Sequence, residues 1–334
     1  MTTSYDVLGL GNAIIDVLAR VEDDLLVSEG LHKGSMALID EARAAHLYSK
    51  IGGTILISGG SAANTCAGVA SLGGRAAFIG KVRDDALGTS FAHDIRTAGV
   101  HFATPAATSG PATASSTILV TPDGERTMNT FLGASQHLRP EDVDADLVRA
   151  SGTVYLEGYL WDPPAAKEAF LRASEIAHAA GREVALSLSD LFCVDRYRAE
   201  FLDLIRTGKV DLVFANEAEA KALYGTADFS TALDALRNDA KAAVVTRSEQ
   251  GALVVTREET LAIPAHPVER VVDATGAGDL FAAGVLAGLA RGLSPRDAAH
   301  LGALAAAEVL SHMGARPQQD LAYLATQAGL FEPA

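Results

Sequence analysis

Short strand-like runs recur along the chain, separated by stretches with helical patterning, and that alternation restricts the fold more than any other feature. The runs are Val7–Leu10, Ala76–Ile79, Thr153–Leu156, Val184–Leu188, Leu212–Ala215 and Ala243–Thr246. Helical patterns fall between them at Ala62–Ser71, Gly88–Ala98, Pro164–Ala180, Glu200–Thr207 and Thr231–Asp239. Such alternation predicts a mostly parallel sheet with helices on both faces, an α/β three-layer sandwich. After Thr246 the pattern changes. Ala252–Thr256 and Thr260–Ile263, joined by Arg257-Glu258-Glu259, read as an antiparallel hairpin. Two helices, Thr275–Arg291 and Pro295–Ser311, close the fold, with Ser294 as N-cap and Pro295 at the first helical position.

A second rhythm interrupts the first. Thr117–Thr121 and Arg126–Phe131 flank Pro122-Asp123-Gly124-Glu125, a hairpin signal, and Leu18–Val21 and Ser35–Ile39 also read as short strands. These segments predict a small β-sheet lid inserted into the main domain. The expected division is a large α/β domain over 1–16, 41–112 and 133–334, with the lid over 17–40 and 113–132.

A formal charge of −15 argues against nonspecific binding to nucleic acid or to an anionic membrane, which needs a basic face. It leaves room for an anionic small molecule held by backbone dipoles and a metal. Cys66 and Cys193 have no metal-type spacing and read as reduced core thiols, as expected in the cytoplasm. Met1–Asp6 lacks a basic leader region, and the apolar run Leu280–Ala290 is too short to span a bilayer. The expectation is a soluble cytoplasmic protein, with no nucleic-acid or membrane partner.

The densest chemistry lies in Asp273-Ala-Thr-Gly-Ala-Gly-Asp279-Leu-Phe-Ala-Ala-Gly284. Thr275, Gly276, Ala277 and Gly278 are small, so the backbone can bend sharply and approach a ligand closely. The apolar run that follows predicts a buried helix, which places the turn at a helix N-terminus suited to phosphate. Asp279 then sets a carboxylate beside an anion site, where it would repel the ligand unless it serves as a general base toward an attacking hydroxyl. An ordinary helix start accounts for the same residues, because an acidic side chain in a first turn is favoured by the dipole.

Other motifs are weaker by themselves. Gly9-Leu-Gly-Asn12-Ala-Ile-Ile-Asp16 fails as a dinucleotide fingerprint, because Ile14 stands where the third glycine belongs. Asn12 and Asp16 could instead hold a polyhydroxyl ligand at the end of the first strand, or simply form a turn. Gly59-Gly60 precedes a helix whose first turn carries Ser61 and Asn64. The pair could be a hinge, or Ser61 an N-cap. Asn216 and Glu219 at a helix start could order water around Mg²⁺, but on local grounds a capping box is the favoured reading. No Gly-x-x-x-x-Gly-Lys-Ser/Thr occurs, which excludes a P-loop.

Taken in order along the chain, Gly59-Gly60 before a polar helix, Asn216-x-x-Glu219 and Asp273-x-Thr-Gly-Ala-Gly-Asp279 resemble the ribokinase (PfkB-type) carbohydrate and nucleoside kinases. Gly11-Asn-Ala-Ile-Ile-Asp16, Tyr155-Leu-Glu-Gly158, Leu186–Ser189 and Val210–Ala220 are most similar to the adenosine kinase branch. The resemblance implies a ribokinase-like fold and a set of roles. Asp279 is the base, and the amides of Gly276, Ala277 and Gly278 form the anion hole. Arg126, from the lid, neutralises phosphoryl charge. Asn12, Asp16, Gly59, Gly60, Ser61 and Asn64 bind the acceptor. Asn216, Thr246, Gly251 and Thr275 serve ATP, and Glu219 serves Mg²⁺ through water. A monovalent cation such as K⁺ is a further expected partner. Met36, Leu38, Phe131, Leu132, Tyr159 and Trp161 are candidates for an apolar base-binding wall, or for plain packing.

The reading is ATP-dependent phosphorylation of a ribonucleoside 5′-hydroxyl, adenosine to AMP. The alternatives are a sugar kinase of the same family (ribose, fructose or a keto-sugar acid) and a non-catalytic ligand-binding relative. Lid edges could pair two chains, so a monomer and a lid-mediated homodimer both stay open.

Overall fold

The computed structural model describes residues 3–332. In chain order its strands are β1 (Tyr5–Leu10), β2 (Ile14–Arg20), β3 (Met36–Leu38), β4 (Ile55–Gly59), β5 (Ala76–Ile79), β6 (Val100–Phe102) and β7 (Ala114–Val120). There follow β8 (Arg126–Phe131), β9 (Ser151–Glu157), β10 (Glu183–Ser187), β11 (Leu212–Asn216), β12 (Ala242–Thr246), β13 (Ala252–Thr256) and β14 (Thr260–Ile263). They form two sheets. The larger runs β14-β13-β12-β11-β10-β9-β1-β5-β6, and the smaller β3-β8-β7-β2-β4.

The large sheet is parallel from β12 to β6, and only the β12-β13-β14 end is antiparallel, as the break in the sequence pattern after Thr246 predicts. Both faces are buried because side chains alternate across the pleat. Val7, Phe78, Tyr155 and Ala185 enter one apolar core. Their neighbours Leu8, Ile79, Val154, Leu156, Val184 and Leu186 enter the other. Helices Ser61–Ser71, Ala277–Ala290 and Pro295–Leu310 cover the first face, and Pro164–Ala179 and Leu191–Arg206 the second. No described helix is long and apolar enough to cross a membrane.

The smaller sheet contains the four lid strands read from sequence and a fifth, β4, which pairs antiparallel with β2 from Ile14↔Gly59 to Leu18↔Ile55. β4 was not anticipated, and it ends at the double glycine, so the lid runs directly into the Ser61–Ser71 helix. The helix expected at Glu200–Thr207 is the second half of a longer one, Leu191–Arg206, capped by Asp190. Non-helical geometry at Tyr197 and the exposed Leu191 and Phe192 break the amphipathic period that would have revealed its first half.

The Ala277–Ala290 helix is nearly all small or apolar, and its middle is buried on every side. Glycines allow this close approach: a Cβ built on Gly284 would lie 2.5 Å from the backbone of Gly302, and one on Gly68 would lie 2.6 Å from Ala283 Cβ. Gly284→Ala is therefore expected to lower the unfolding free energy by about 1–3 kcal/mol through overpacking, measured by urea denaturation.

Candidate active site

The Ser61–Ser71 and Ala277–Ala290 helices begin side by side. Each is opened by a glycine in a conformation that L side chains rarely adopt, Gly60 with φ +99° and Gly276 with φ +80°. Side chains are also excluded by space. A Cβ at 60 would sit 2.0 Å from the Asn12 carbonyl, and one at 276 would sit 2.7 Å from Ala315 Cβ. The first-turn amides of the second helix, including those of Ala277, Gly278 and Asp279, have no i−4 carbonyl within the helix to serve them. Gly278 is exposed, with open space where a Cβ would be. The Ala277 amide donates to the Ala274 carbonyl at 3.3 Å, while the remaining first-turn N–H groups and the positive dipole end face an unfilled region, the arrangement that favours an anion.

Asp279 bridges the two helix starts. Ser61 Oγ donates to its Oδ1 at 2.6 Å, and Asn64 Nδ2 donates to its Oδ2 at 3.0 Å. Thr65 Oγ1 donates to its backbone carbonyl at 3.1 Å. Burial raises the Asp279 pKa above the ordinary carboxylate value, while the two side-chain donors and the nearby Arg316 oppose that rise. Each carboxylate oxygen keeps a second lone pair for a ligand proton.

Asp16, on β2, lies beside this centre, its carboxylate against Gly59, where a Cβ would meet Oδ2 at 2.6 Å. No described residue donates a hydrogen bond to it. Burial pushes its pKa up to about 6; Arg126 and Arg316 work against the shift, and Asp279 adds to it. Asn64 Oδ1 is likewise buried without a partner. Unclaimed acceptors at this depth carry a desolvation cost that a hydroxyl-bearing ligand would remove.

Asn12 behaves differently from the other sequence-derived acceptor residues. Its Oδ1 accepts from Ser135 Oγ (2.8 Å) and Gln136 Nε2 (2.9 Å), and its Nδ2 donates to Glu157 Oε1 at 2.6 Å. Glu157 also accepts from the Ala62 amide at 2.8 Å, at the start of the Ser61–Ser71 helix. The Asn12–Glu157 pair therefore braces the site from beneath. Glu157 is 1% exposed, and burial pushes its pKa up to about 7 against the donors from Ala62 and Asn12. Sequence reasoning quoted Tyr155-Leu-Glu-Gly158 without assigning Glu157 a role, although a carboxylate ending an apolar strand is itself a signal.

On the other side of the anion turn, Arg126 of β8 forms an ion pair with Asp273, and its Nη1 lies 3.3 Å from Thr275 Oγ1. Its Nε is buried without a partner. Asp273 also accepts from the Thr275 hydroxyl (2.7 Å), the Thr275 amide (3.0 Å) and the Gly314 amide (2.9 Å). Burial disfavours its charge, but these donors and Arg126 outweigh burial and hold its pKa below the usual carboxylate value. The smaller sheet thus reaches the Asp273–Asp279 turn through this pair.

Asn216 and Glu219 form the capping box that local reasoning favoured. Asn216 accepts from the Glu219 amide at 2.8 Å, and Glu219 accepts from the Asn216 amide at 2.9 Å. Burial pushes Glu219 up to about 7, with Asp190 adding to the effect. Thr246 ends β12 and Gly251 immediately precedes β13, so both stand at the same end of the sheet as Asn216. Of the apolar candidates, Met36, Leu38 and Tyr159 are exposed, and Phe131 and Leu132 are half-buried. Trp161 is a core residue. It is 3% exposed, packs against Phe170 and Phe201, and donates to Glu200, so it is removed from the base-binding wall.

The model of the pfkB family carbohydrate kinases matches residues 47–321, most of the chain and all of the anion turn. The chain belongs to this family. It is 56% identical to the adenosine kinase of Sinorhizobium meliloti, whose crystal structure it matches over 97% of its own length and 99% of the other, with a TM-score of 0.89. A probable sugar kinase from Rhizobium etli CFN 42 is 53% identical, covers 99% of this chain and 100% of that one, and has a TM-score of 0.91. Fructokinase-1 of rice (Oryza sativa subsp. japonica) is 30% identical over 68% of this chain and 72% of its own. The fold is ribokinase-like, and the protein is a phosphotransferase with an alcohol group as acceptor.

Membership implies ATP as cosubstrate and typically Mg²⁺. No cluster of three or more potential metal-binding side chains occurs among the described residues. Mg²⁺ needs no such cluster, because it keeps several waters and binds through substrate phosphates with one or two carboxylates.

The buried carboxylates give this site a pH signature. Because the folded-state pKa of Glu157 lies above its ordinary 4.5, the stability linked to it is fully present below 4.5 and is lost as pH rises through about 7. Glu157→Gln is expected to flatten the fall in unfolding free energy across that window, followed by urea denaturation at a series of pH values.

Proposed function

We propose that this pfkB kinase phosphorylates the 5′-hydroxyl of a ribonucleoside, adenosine to AMP, with ATP as donor. The observation that carries the reading is the unclaimed carboxylate of Asp16 beside Asp279. Its two oxygens can accept from both hydroxyls of a ribose diol, with Asn64 Oδ1 as a further acceptor. A diol anchored there leaves the primary hydroxyl free to approach Asp279. The resemblance to the adenosine kinase of Sinorhizobium meliloti over nearly the full chain supports the choice of a nucleoside.

In this mechanism the acceptor oxygen attacks the γ-phosphorus in line. A new O–P bond forms as the bond to the β,γ-bridging oxygen breaks, and ADP leaves. The hydroxyl proton passes to Asp279, which burial has already made more basic than a surface carboxylate. The amides of Gly276, Ala277 and Gly278 receive the transferred phosphoryl group, and fixed dipoles of this kind cost no reorganisation during reaction. Arg126, with an unpartnered Nε beside the turn, neutralises developing charge. Mg²⁺, when bound, would offset the charge of the donor phosphates, with Glu219 and Asn216 acting through water. Thr246, Gly251 and Thr275 line the nucleotide side. The exposed Met36, Leu38 and Tyr159 supply apolar surface for a base.

The lid is assigned to β2, β3, β4, β7 and β8, closing over the acceptor to exclude water. Its outer strands expose Met36, Leu38 and Ile55, which would also serve pairing of two lids; sedimentation velocity distinguishes monomer from dimer. The two buried free thiols support a reducing, cytoplasmic setting. A monovalent cation is included as an activator of the anion turn, read by exchanging KCl for choline chloride in the assay.

The resemblance to the probable sugar kinase of Rhizobium etli CFN 42 favours the second reading, a sugar as acceptor. Rates with adenosine, inosine, ribose and fructose under matched conditions decide between the two. Adenosine should lead by at least about tenfold in kcat/KM, and a lead by ribose or fructose would overturn the nucleoside assignment. Asp279→Asn should lower kcat by about 10³-fold or more with the nucleoside Kd little changed, measured by coupled ADP release and calorimetry. Asp16→Asn should raise the acceptor KM by about 10–100-fold while leaving the KM for ATP near wild type.

A further inference from the structure

Arg316 follows the Pro295–Leu310 helix, in Gly314-Ala315-Arg316-Pro317, and sequence reasoning gave it no role. Its neighbours already serve the site. The Gly314 amide donates to Asp273, and Ala315 packs against the turn at Gly276. Arg316 itself has no carboxylate within ion-pair distance. Its Nε donates to the Ser58 carbonyl at 2.9 Å, its Nη2 donates to the same carbonyl at 2.5 Å and to Ser58 Oγ at 3.0 Å, and its Nη1 donates to the Ala63 carbonyl at 3.1 Å. Ser58 is the penultimate residue of β4, and Ala63 lies in the first turn of the Ser61–Ser71 helix, whose Ser61 and Asn64 donate to Asp279. One guanidinium therefore grips both sides of Gly59-Gly60.

From the other direction, Ser58 is fixed by Asp94 of the Ala86–Thr97 helix. The Ser58 amide and hydroxyl both donate to Asp94 Oδ2, at 2.7 and 2.6 Å. We propose that Arg316 is a positioning residue for phosphoryl transfer. It clamps the Gly59-Gly60 hinge between lid and helix, and it keeps a positive charge beneath Asp279. The proposal rests on the reading of Asp279 as the base.

The charged surroundings support this. Asp279 is faced by Asp16 on β2, Glu157 on β9, and Tyr155 and Tyr159. Arg316 is the cation that faces it. Arg316 in turn faces Asp94, Asp16, Cys66 and Asp279, and Arg126 faces Asp16 from the lid. Burial disfavours the guanidinium charge, so a buried arginine without an ion-pair partner is costly unless the field of these carboxylates sustains it. Removing it leaves several acidic groups at close quarters and raises the pKa of Asp279 further.

The test compares wild type, Arg316→Gln and Arg316→Lys in kcat and kcat/KM for the acceptor between pH 5 and 9, with saturating ATP. Circular dichroism and thermal melts establish that each variant is folded. Arg316→Gln should lose about 10²-fold in kcat, and its acid limb should move to higher pH by about one unit. Arg316→Lys restores the charge but cannot reach both carbonyls with a planar fork. Its acid limb should return to the wild-type position while kcat recovers only in part. A folded Gln variant with an unmoved acid limb would overturn the proposal. If the Gln variant does not fold, the Lys variant decides: reduced kcat at an unmoved limb supports the clamp, and wild-type kcat rejects it. An acid limb that persists unchanged in Asp279→Asn would instead overturn the base reading, so the two failures are distinguishable.

Discussion

Two helix N-termini meet at one carboxylate, and the rest of the site depends on that meeting. Asp279 opens the Ala277–Ala290 helix, yet its side chain is held by Ser61 and Asn64 from the start of the other. The junction requires close-packed helices, which is why Gly68 abuts Leu280 and Ala283 and Gly284 abuts Gly302. It also requires both segments to enter their helices through conformations that L side chains rarely adopt, at Gly60 and Gly276. The same amide-rich corner thereby carries the Asp279 carboxylate at its edge.

Concentrating charge there has a cost that the surrounding residues offset unequally. Asp16, Glu157 and Asp279 are all made more basic by burial. Glu157 is compensated by the donors from Asn12 and Ala62, and Asp279 by Ser61 and Asn64. Asp16 has no such donor among the described residues, so burial raises its pKa without a hydrogen bond to offset it. Local departures from full polar satisfaction are expected at functional sites more than elsewhere. The smaller sheet makes its own contribution through Arg126, whose ion pair with Asp273 joins it to the Asp273–Asp279 turn.

Much of this was readable in the chain. Six of the seven parallel strands have continuous apolar runs, and their bounds were recovered to within a residue or two; β6 was missed, being a three-residue edge strand with His101 exposed. β4 escaped notice because it is an edge strand with an exposed Ile55 and polar residues close by. The first half of the Leu191–Arg206 helix escaped because its kink breaks the helical period. Within the site, Asp279 and the anion turn were evident because a helix N-terminus carries its chemistry in consecutive residues. Asn12 was recognised, but its partners Ser135, Gln136 and Glu157 come from distant segments, so its commitment to the wall was not. Trp161 looked like a candidate for a ligand wall and proved to be core, since an aromatic residue reads alike in either setting.

The sequence by itself determined the family, the alternating α/β architecture, and the turn that presents backbone amides beside Asp279. These follow from local rules: strand and helix periods, glycine at positive φ, and the dipole of a helix start. Only the tertiary structure decided which charges face one another. It set Arg316 across the Gly59-Gly60 hinge, Glu157 beneath Asn12, and Arg126 against Asp273, and it left Asp16 without a protein donor. The physical reason is that a buried charge is defined by its neighbours, and in this fold those neighbours are supplied from remote parts of the chain.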